Sequence, residues 1–273
     1  MDKFANRSTF RKLIKLIDGN IGRNLRKANN QYKYSKNYTG RDHIMTMLFL
    51  QISGCDGLRD IDEKYRNSSK VNKDFNIPTY SQLSRLNKSK SCDLFKNIFE
   101  DLLQEAEREL KSSVNIKEFK DIKIIDSSVV NIGKGLAPEL YFQDEKSAIR
   151  ISTLFSNGTK LTSKINIVPA KIGERTCIDG YVDSEENIYI FDKGYFKYSW
   201  YDETIDKKQN FITRKQSNAV TEEYLATSTE IEGMYDYIVT MGSDYSKNET
   251  RYKYREILYF TKDSDEEFRL VTQ

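Results

Sequence analysis

Histidine occurs once in 273 residues, at position 43. A single imidazole excludes the paired-histidine zinc motifs, and any histidine catalysis would rest on His43 alone. Cysteine is scarce as well. Cys55, Cys92 and Cys177 are odd in number and show no CxxC spacing, which points to a reduced, cytosolic chain rather than a disulfide-bonded one. Only 3 Pro and 13 Gly argue against low-complexity linkers. No run approaches the roughly 18 apolar residues of a membrane span. Met1 to Asn20 also lacks the apolar stretch of a signal peptide.

Aromatic residues are plentiful, with 18 Tyr and 14 Phe, so a core is affordable at a hydrophobic fraction of 38%. The length suits one large domain or two smaller ones. Net charge is only +3, yet it is unevenly spread. Residues 1–40 carry ten Lys/Arg against Asp2 and Asp18, a net of +8, whereas residues 221–273 carry six basic and twelve acidic side chains, a net of −6. A basic end on a near-neutral chain is the footprint of a polyanion partner; a solvated helix face has the same composition.

The first 110 residues read as helical. Ser8 or Thr9 caps a helix carrying Phe10, Leu13, Ile14 and Ile17, and a polar, basic stretch follows over Gly19 to Tyr38. Further helices are predicted over 41–52, from Leu58, from Thr79, and over 93–110. Thr79 to Lys88 after a preceding helix and turn has the form of a helix-turn-helix, and also of an ordinary helical hairpin. After Lys111 the pattern turns to strands at 122–130, 149–155, 161–168, 187–191 and 210–213, with a helix over 196–205. From Met234 onward only strands are expected.

Two stretches carry the chemistry. DIKIIDSSVVN, from Asp121 to Asn131, places Asp126 in a short β-branched run, and NIYIFDKGY, from Asn187 to Tyr195, repeats the form with Asp192. Such runs fit strands buried on both faces. A carboxylate there either has a partner or holds a metal at the strand's edge, because an unpaired buried charge is costly. Two strand-end aspartates can share one divalent ion, and oxygen-only ligation suits Mg²⁺ or Mn²⁺. They can equally be unrelated.

These residues carry a resemblance. STFRKLIKLI, DHIMTMLFLQISGCDGLRDIDEKYR, YSQLSRLNKSKSCDLFKNIFEDLL, IIDSSVV, YIFDKGYFKY and NFITRKQSN resemble, in order, segments of the IS4-type bacterial insertion-sequence transposases with a short helical N-terminal domain. The resemblance implies an α/β chain: a helical DNA-binding domain over residues 1–112, then an RNase-H-like DDE catalytic core over 113–273 with a β-rich insertion at about 220–273. It implies a centre of two Asp and one Glu binding Mg²⁺ or Mn²⁺, with Asp126 and Asp192 as the catalytic, metal-binding aspartates. The partners implied are double-stranded DNA, as terminal repeats and target, and a second copy in a synaptic homodimer, with no membrane. Lys193, Arg214 and Lys215 are candidates for DNA phosphates beside the metals, as are Arg85 and Lys88 in the N-terminal domain.

The chain departs from that pattern in two places. The family's Glu helix has Tyr, two residues, Arg, three residues, Glu. Tyr252 and Arg255 keep the first spacing, but Tyr259 stands in place of Glu in a stretch that reads as a strand. The core is therefore expected to be C-terminally incomplete. In addition, Ala148 to Thr153 (AIRIST) replaces a Lys-Leu-His run. Three functions follow: an active transposase, a truncated one that binds DNA without catalysing, or another RNase-H-like nuclease completing its site with Glu174, Asp179 or Asp183.

Overall fold

The computed structural model describes residues 3–27, 32, 38–110, 118–133, 137–143, 146–195, 197–227, 229, 231–242, 249–260 and 267–273. The chain divides into two compact units, Met1–Glu109 and Leu110–Gln273.

The first unit is helical: α1 (Lys3–Lys27), α2 (Gly40–Ser53), α3 (Leu58–Tyr65), α4 (Tyr80–Ser89) and α5 (Asp93–Glu109). Phe10, Ile14, Ile17 and Ile21 recur at helical spacing along α1 and are buried with Ile44, Met45, Phe49, Ile61 and Leu83. Thr39 closes a capping box with Asp42 at the start of α2, and Gly54 ends that helix in the left-handed conformation that glycine adopts without strain.

Helix α1 corrects two expectations. It does not start at Ser8 or Thr9, and it runs on through Gly19 to Lys27, the first part of the polar, basic stretch expected to follow it. The polar residues there are spent on buried contacts. Asn20 and Asn24, 2% and 1% exposed, donate at 2.8 Å to Glu105 and Asp101 of α5. The basic positions Lys33 and Lys36 lie outside the described residues. Within the described part, Arg11 is paired with Asp74, while Lys12, Lys15, Arg23 and Arg26 are exposed.

The helix-turn-helix expectation is not met. Residues 66–79 separate α3 from α4, far more than the three or four residues of that motif's turn. Thr79 does cap α4 by accepting from the Gln82 amide. His43 is a buried structural group. Its Nε2 contacts Asn87 Oδ1 and its Nδ1 contacts the Tyr32 hydroxyl, each at 2.7 Å, and burial lowers its pKa.

The second unit is built on one sheet: β1 (Asp121–Ile132), β2 (Tyr141–Gln143), β3 (Lys146–Ser156), β4 (Thr162–Pro169), β5 (Asn187–Phe191), β6 (Asn210–Arg214), β7 (Thr221–Thr227), β8 (Met234–Met241), β9 (Tyr254–Phe260) and β10 (Glu267–Thr272). The order is β2-β3-β1-β5-β6-β10-β9-β8-β7, with β4 also paired to β3. Strand β1 is antiparallel to β3 and parallel to β5, which is parallel to β6. A parallel step needs a crossover, and α7 (Tyr198–Asp206) supplies it between β5 and β6. A helical unit followed by this mixed sheet is the α/β, RNase-H-like arrangement.

Alternation along the strands sorts the side chains onto two faces. Ile125, Tyr189, Phe191 and Phe211 point to the covered face, where Trp200 and Tyr201 of α7 pack against them. Phe191 lies 4.9 Å from Trp200, and Tyr201 stacks on Phe211 at 4.8 Å. Burying each such ring stabilises the unit by roughly 1.5–3 kcal/mol. Ile124, Ile190, Ile212 and Leu270 line the opposite, open face, and Ile124 is 37% exposed. Among the described residues no helix is long and apolar enough to cross a membrane.

Candidate functional site

Strands β1 and β5 run side by side in a register that ends at Ile125 opposite Phe191. Asp126 and Asp192 are the next residues on each, so they emerge at the same level. Neighbouring strands lie about 4.8 Å apart, and equal parity sends both side chains to the same face. Strand β6 continues the row: Phe191 pairs with Thr213, and Arg214 follows at the level of Asp192. Leu270 of β10 pairs with Arg214. Asp126, Asp192, Arg214 and Leu270 thus form one row across four strands. Ile124, Ile190 and Ile212 form the row beneath it.

The two rows line an open cavity of about 320 Å³. Its floor is aliphatic and its rim carries the two carboxylates and one guanidinium. Asp126 and Asp192 are exposed, and neither has an ion pair among the described residues. Carboxylate oxygens lining one cavity suit a hard divalent cation rather than a soft one. No third histidine, cysteine or carboxylate joins them as a ligand group among the described residues. Asp236 lies in the same row but two strands beyond Leu270, and Arg255 holds it at 2.5 Å.

The three acids considered as substitutes are committed elsewhere. Glu174, at the start of the short helix α6 (Glu174–Cys177), accepts from Arg150 Nη1 at 2.6 Å. Asp179 pairs with Arg175. Asp183 pairs with Lys164 at 2.6 Å and accepts from the Tyr189 hydroxyl at 2.8 Å. Tyr259 lies in β9, as its strand-like sequence predicts.

The basic candidates separate. Arg214 is exposed at the cavity rim with its guanidinium 4.8 Å from the Phe268 ring centroid. Lys193 is exposed in the turn directly after Asp192. Lys215 corrects the expectation of a phosphate contact. Its side chain is 8% exposed and its ammonium donates to Glu256 Oε2 at 2.8 Å and to Thr221 Oγ1 at 2.8 Å, so the charge is used inside the protein. Arg85 and Lys88 are exposed on α4.

Two groups lie beneath the aspartates: Tyr195, expected from its sequence to pack against the sheet, and Arg150, which sequence reasoning missed. Tyr195 is 1% exposed, with burial pushing its hydroxyl up to about 12, the Glu174 and Asp126 charges adding to the rise. Arg150, on β3, is buried against Ser127 and Glu174. The available signal was an arginine at an inward position of AIRIST, where a charge requires a partner.

The sequence pattern of the transposase DDE domain matches residues 117–269, more than half of the chain. A domain of unknown function, DUF4372, matches residues 5–73. A probable transposase for insertion sequence element IS5377 from Geobacillus stearothermophilus is 21% identical over 222 residues, covering 77% of this chain and 56% of the relative. The chain therefore spans little more than half the length of that relative. On the extent of that match, the chain belongs to the transposase DDE domain family.

Proposed function

We propose that Asp126 and Asp192 are the two aspartates of a DDE centre and hold a divalent cation, Mg²⁺ or Mn²⁺, at the open sheet face. The observation that carries the reading is their placement: two exposed carboxylates at one level on adjacent parallel strands, facing one cavity. When bound, such a cation stabilises charge on phosphodiester oxygens and helps deprotonate the attacking water or 3′-OH. The chain's own groups do the rest. Asp126 and Asp192 fix the positions of the ligand oxygens. Arg214, held against Phe268, presents donors to a non-bridging phosphate oxygen. Lys193 adds positive charge beside the scissile strand. Ile124, Ile190 and Ile212 keep one wall of the cavity dry.

On this reading the protein acts in DNA transposition, binding the double-stranded ends of an insertion element and, paired as a synaptic homodimer, cutting and joining phosphodiester bonds. Lys12, Lys15, Arg23 and Arg26 on α1, with Arg85 and Lys88 on α4, contact DNA phosphates from the helical DNA-binding domain. A second reading rests on the ligand count among the described residues: residues 1–273 bind element ends without completing strand transfer by themselves. Two carboxylates leave a second cation poorly held, and displacements of about 1 Å in reacting groups cost rate steeply. A cleavage and strand-transfer assay with Mn²⁺ on the repeats flanking its gene separates the two. Retarded DNA with no joined product supports the second reading. Metal-dependent joining that disappears in Asp192→Ala supports the first and overturns the second.

A further inference from the structure

Asp192 lies one residue past the end of β5, where the ladder no longer fixes the backbone. Its position therefore depends on the turn Lys193–Tyr195. That turn is closed by the Tyr195 amide donating to the Asp192 carbonyl at 3.2 Å, and Gln216 Nε2 donates to the Lys193 carbonyl at 3.0 Å. Its third restraint comes from the covered side of the sheet. A Cβ built on Gly194 would lie 2.3 Å from Glu174 Oε2, so the carboxylate rests directly on the glycine.

The other oxygen of that carboxylate reaches the other aspartate's strand. Glu174 Oε1 accepts from Arg150 Nη1 at 2.6 Å and from the Ser127 hydroxyl at 3.3 Å. Arg150 Nη1 also donates to Ser127 Oγ at 3.2 Å. Ser127 directly follows Asp126. One carboxylate thus touches the residue after Asp126 with one oxygen and the turn after Asp192 with the other. A glutamate carboxylate would ordinarily swing aside to admit a methyl group. Here Arg150, 8% exposed, holds it in place.

We propose that Glu174 is a positioning residue: braced by Arg150, it sets the spacing between the Asp126 strand and the Asp192 turn, and so the fit of the pair to its cation. The inference rests on the reading of Asp126 and Asp192 as metal ligands. Glu174 is not grouped with the two aspartates as a ligand among the described residues, and its Oε1 is bonded to Arg150 and Ser127. Groups that orient metal ligands from behind typically change affinity by 10–100-fold when removed.

Two measurements on the full chain test this. The first is Mn²⁺ affinity, from the loss of the free-ion electron paramagnetic resonance signal. Asp126→Asn abolishes binding, Gly194→Ala and Glu174→Ala each weaken it about tenfold, and Glu174→Gln, which keeps shape and acceptor, stays within about threefold of wild type. The double variant Gly194→Ala/Glu174→Ala is no weaker than Glu174→Ala, because both act through one contact. The second is amide hydrogen exchange at Tyr195 without metal, expected to quicken in Glu174→Ala and Gly194→Ala but not in Glu174→Gln. If Glu174→Ala does not fold, Gly194→Ala and Glu174→Gln decide.

Lower melting temperatures with unchanged Mn²⁺ affinity and exchange would reduce Glu174 to a structural ion pair and overturn the proposal. Loss of binding in Glu174→Gln equal to that in Asp126→Asn would make it a ligand and also overturn it. Mn²⁺ binding indifferent to Asp126→Asn would overturn the metal-site reading and the proposal with it, whereas Asp126-dependent binding indifferent to Gly194→Ala would sink the proposal alone.

Discussion

Asp121 begins β1 as a buried carboxylate, 6% exposed. Ser156 Oγ donates to it at 2.5 Å, the Gly158 amide at 2.7 Å, and the Lys123 ammonium lies at 3.0 Å. Burial opposes ionisation, but these donors outweigh it and hold the carboxyl below its ordinary 3.8. A depressed value means the stabilisation is fully present above the unfolded-state pKa, near pH 4, and is lost as pH falls through the lower native one. Asp121→Asn is expected to cost about 1–3 kcal/mol at pH 7 by leaving donors mismatched, and the gap to wild type should narrow on going to pH 3. Urea titrations at the two pH values check this, and an equal gap at both would contradict it. Asp126, five residues on, has the opposite environment: exposed, and without an ion pair among the described residues. Within one strand, the donors around a carboxylate separate a structural aspartate from a candidate metal ligand.

Strand β6 runs into a buried ion pair that ties three strands together. Lys215 follows β6, Glu256 belongs to β9 and is 1% exposed, and Arg269 of β10 reaches Glu256 at 3.1 Å. Stranding a buried charge costs about 3–5 kcal/mol, and the cost here is smaller because Arg269 still faces Glu256 once Lys215 is removed. Lys215→Met is therefore expected to lower the unfolding free energy of the second unit by less than that amount, read from urea titration, and to leave DNA affinity unchanged. A stable variant with weakened DNA binding would restore the phosphate role first read for Lys215. Much of the sheet was legible because its central strands follow short apolar runs: β1 and β5 fall where IIDSSVV and NIYIFD predict. Strand β7 was not, since TEEYLAT is exposed along most of its length and shows no alternation. The extent of α1 was hidden by Asn20 and Asn24, whose partners lie some 80 residues away. The inward turn of Lys215 was equally invisible, because charge alone does not tell a solvated lysine from one facing Glu256.

Each unit of the molecule has its own core, one around Phe10, Ile44 and Leu83, the other around Tyr189, Phe191 and Phe211. Separate cores are expected to unfold separately. Scanning calorimetry should resolve two transitions, with Lys215→Met moving one of them; a single transition displaced as a whole would contradict this. If α1 carries the proposed DNA-binding role, the excess of positive charge near the N-terminus is expected to make DNA affinity fall steeply with salt, because each phosphate contact releases counterions. Gel-shift titrations at two salt concentrations check it, and salt-independent affinity would count against the DNA-facing role of α1. The central claim is that Asp126 and Asp192 share one divalent cation on the open sheet face. Anomalous diffraction from Mn²⁺-soaked crystals tests it most directly. The account predicts a peak about 2.1 Å from an oxygen of each aspartate, absent in Asp126→Asn. A peak bound elsewhere, or one that survives the substitution, would contradict it.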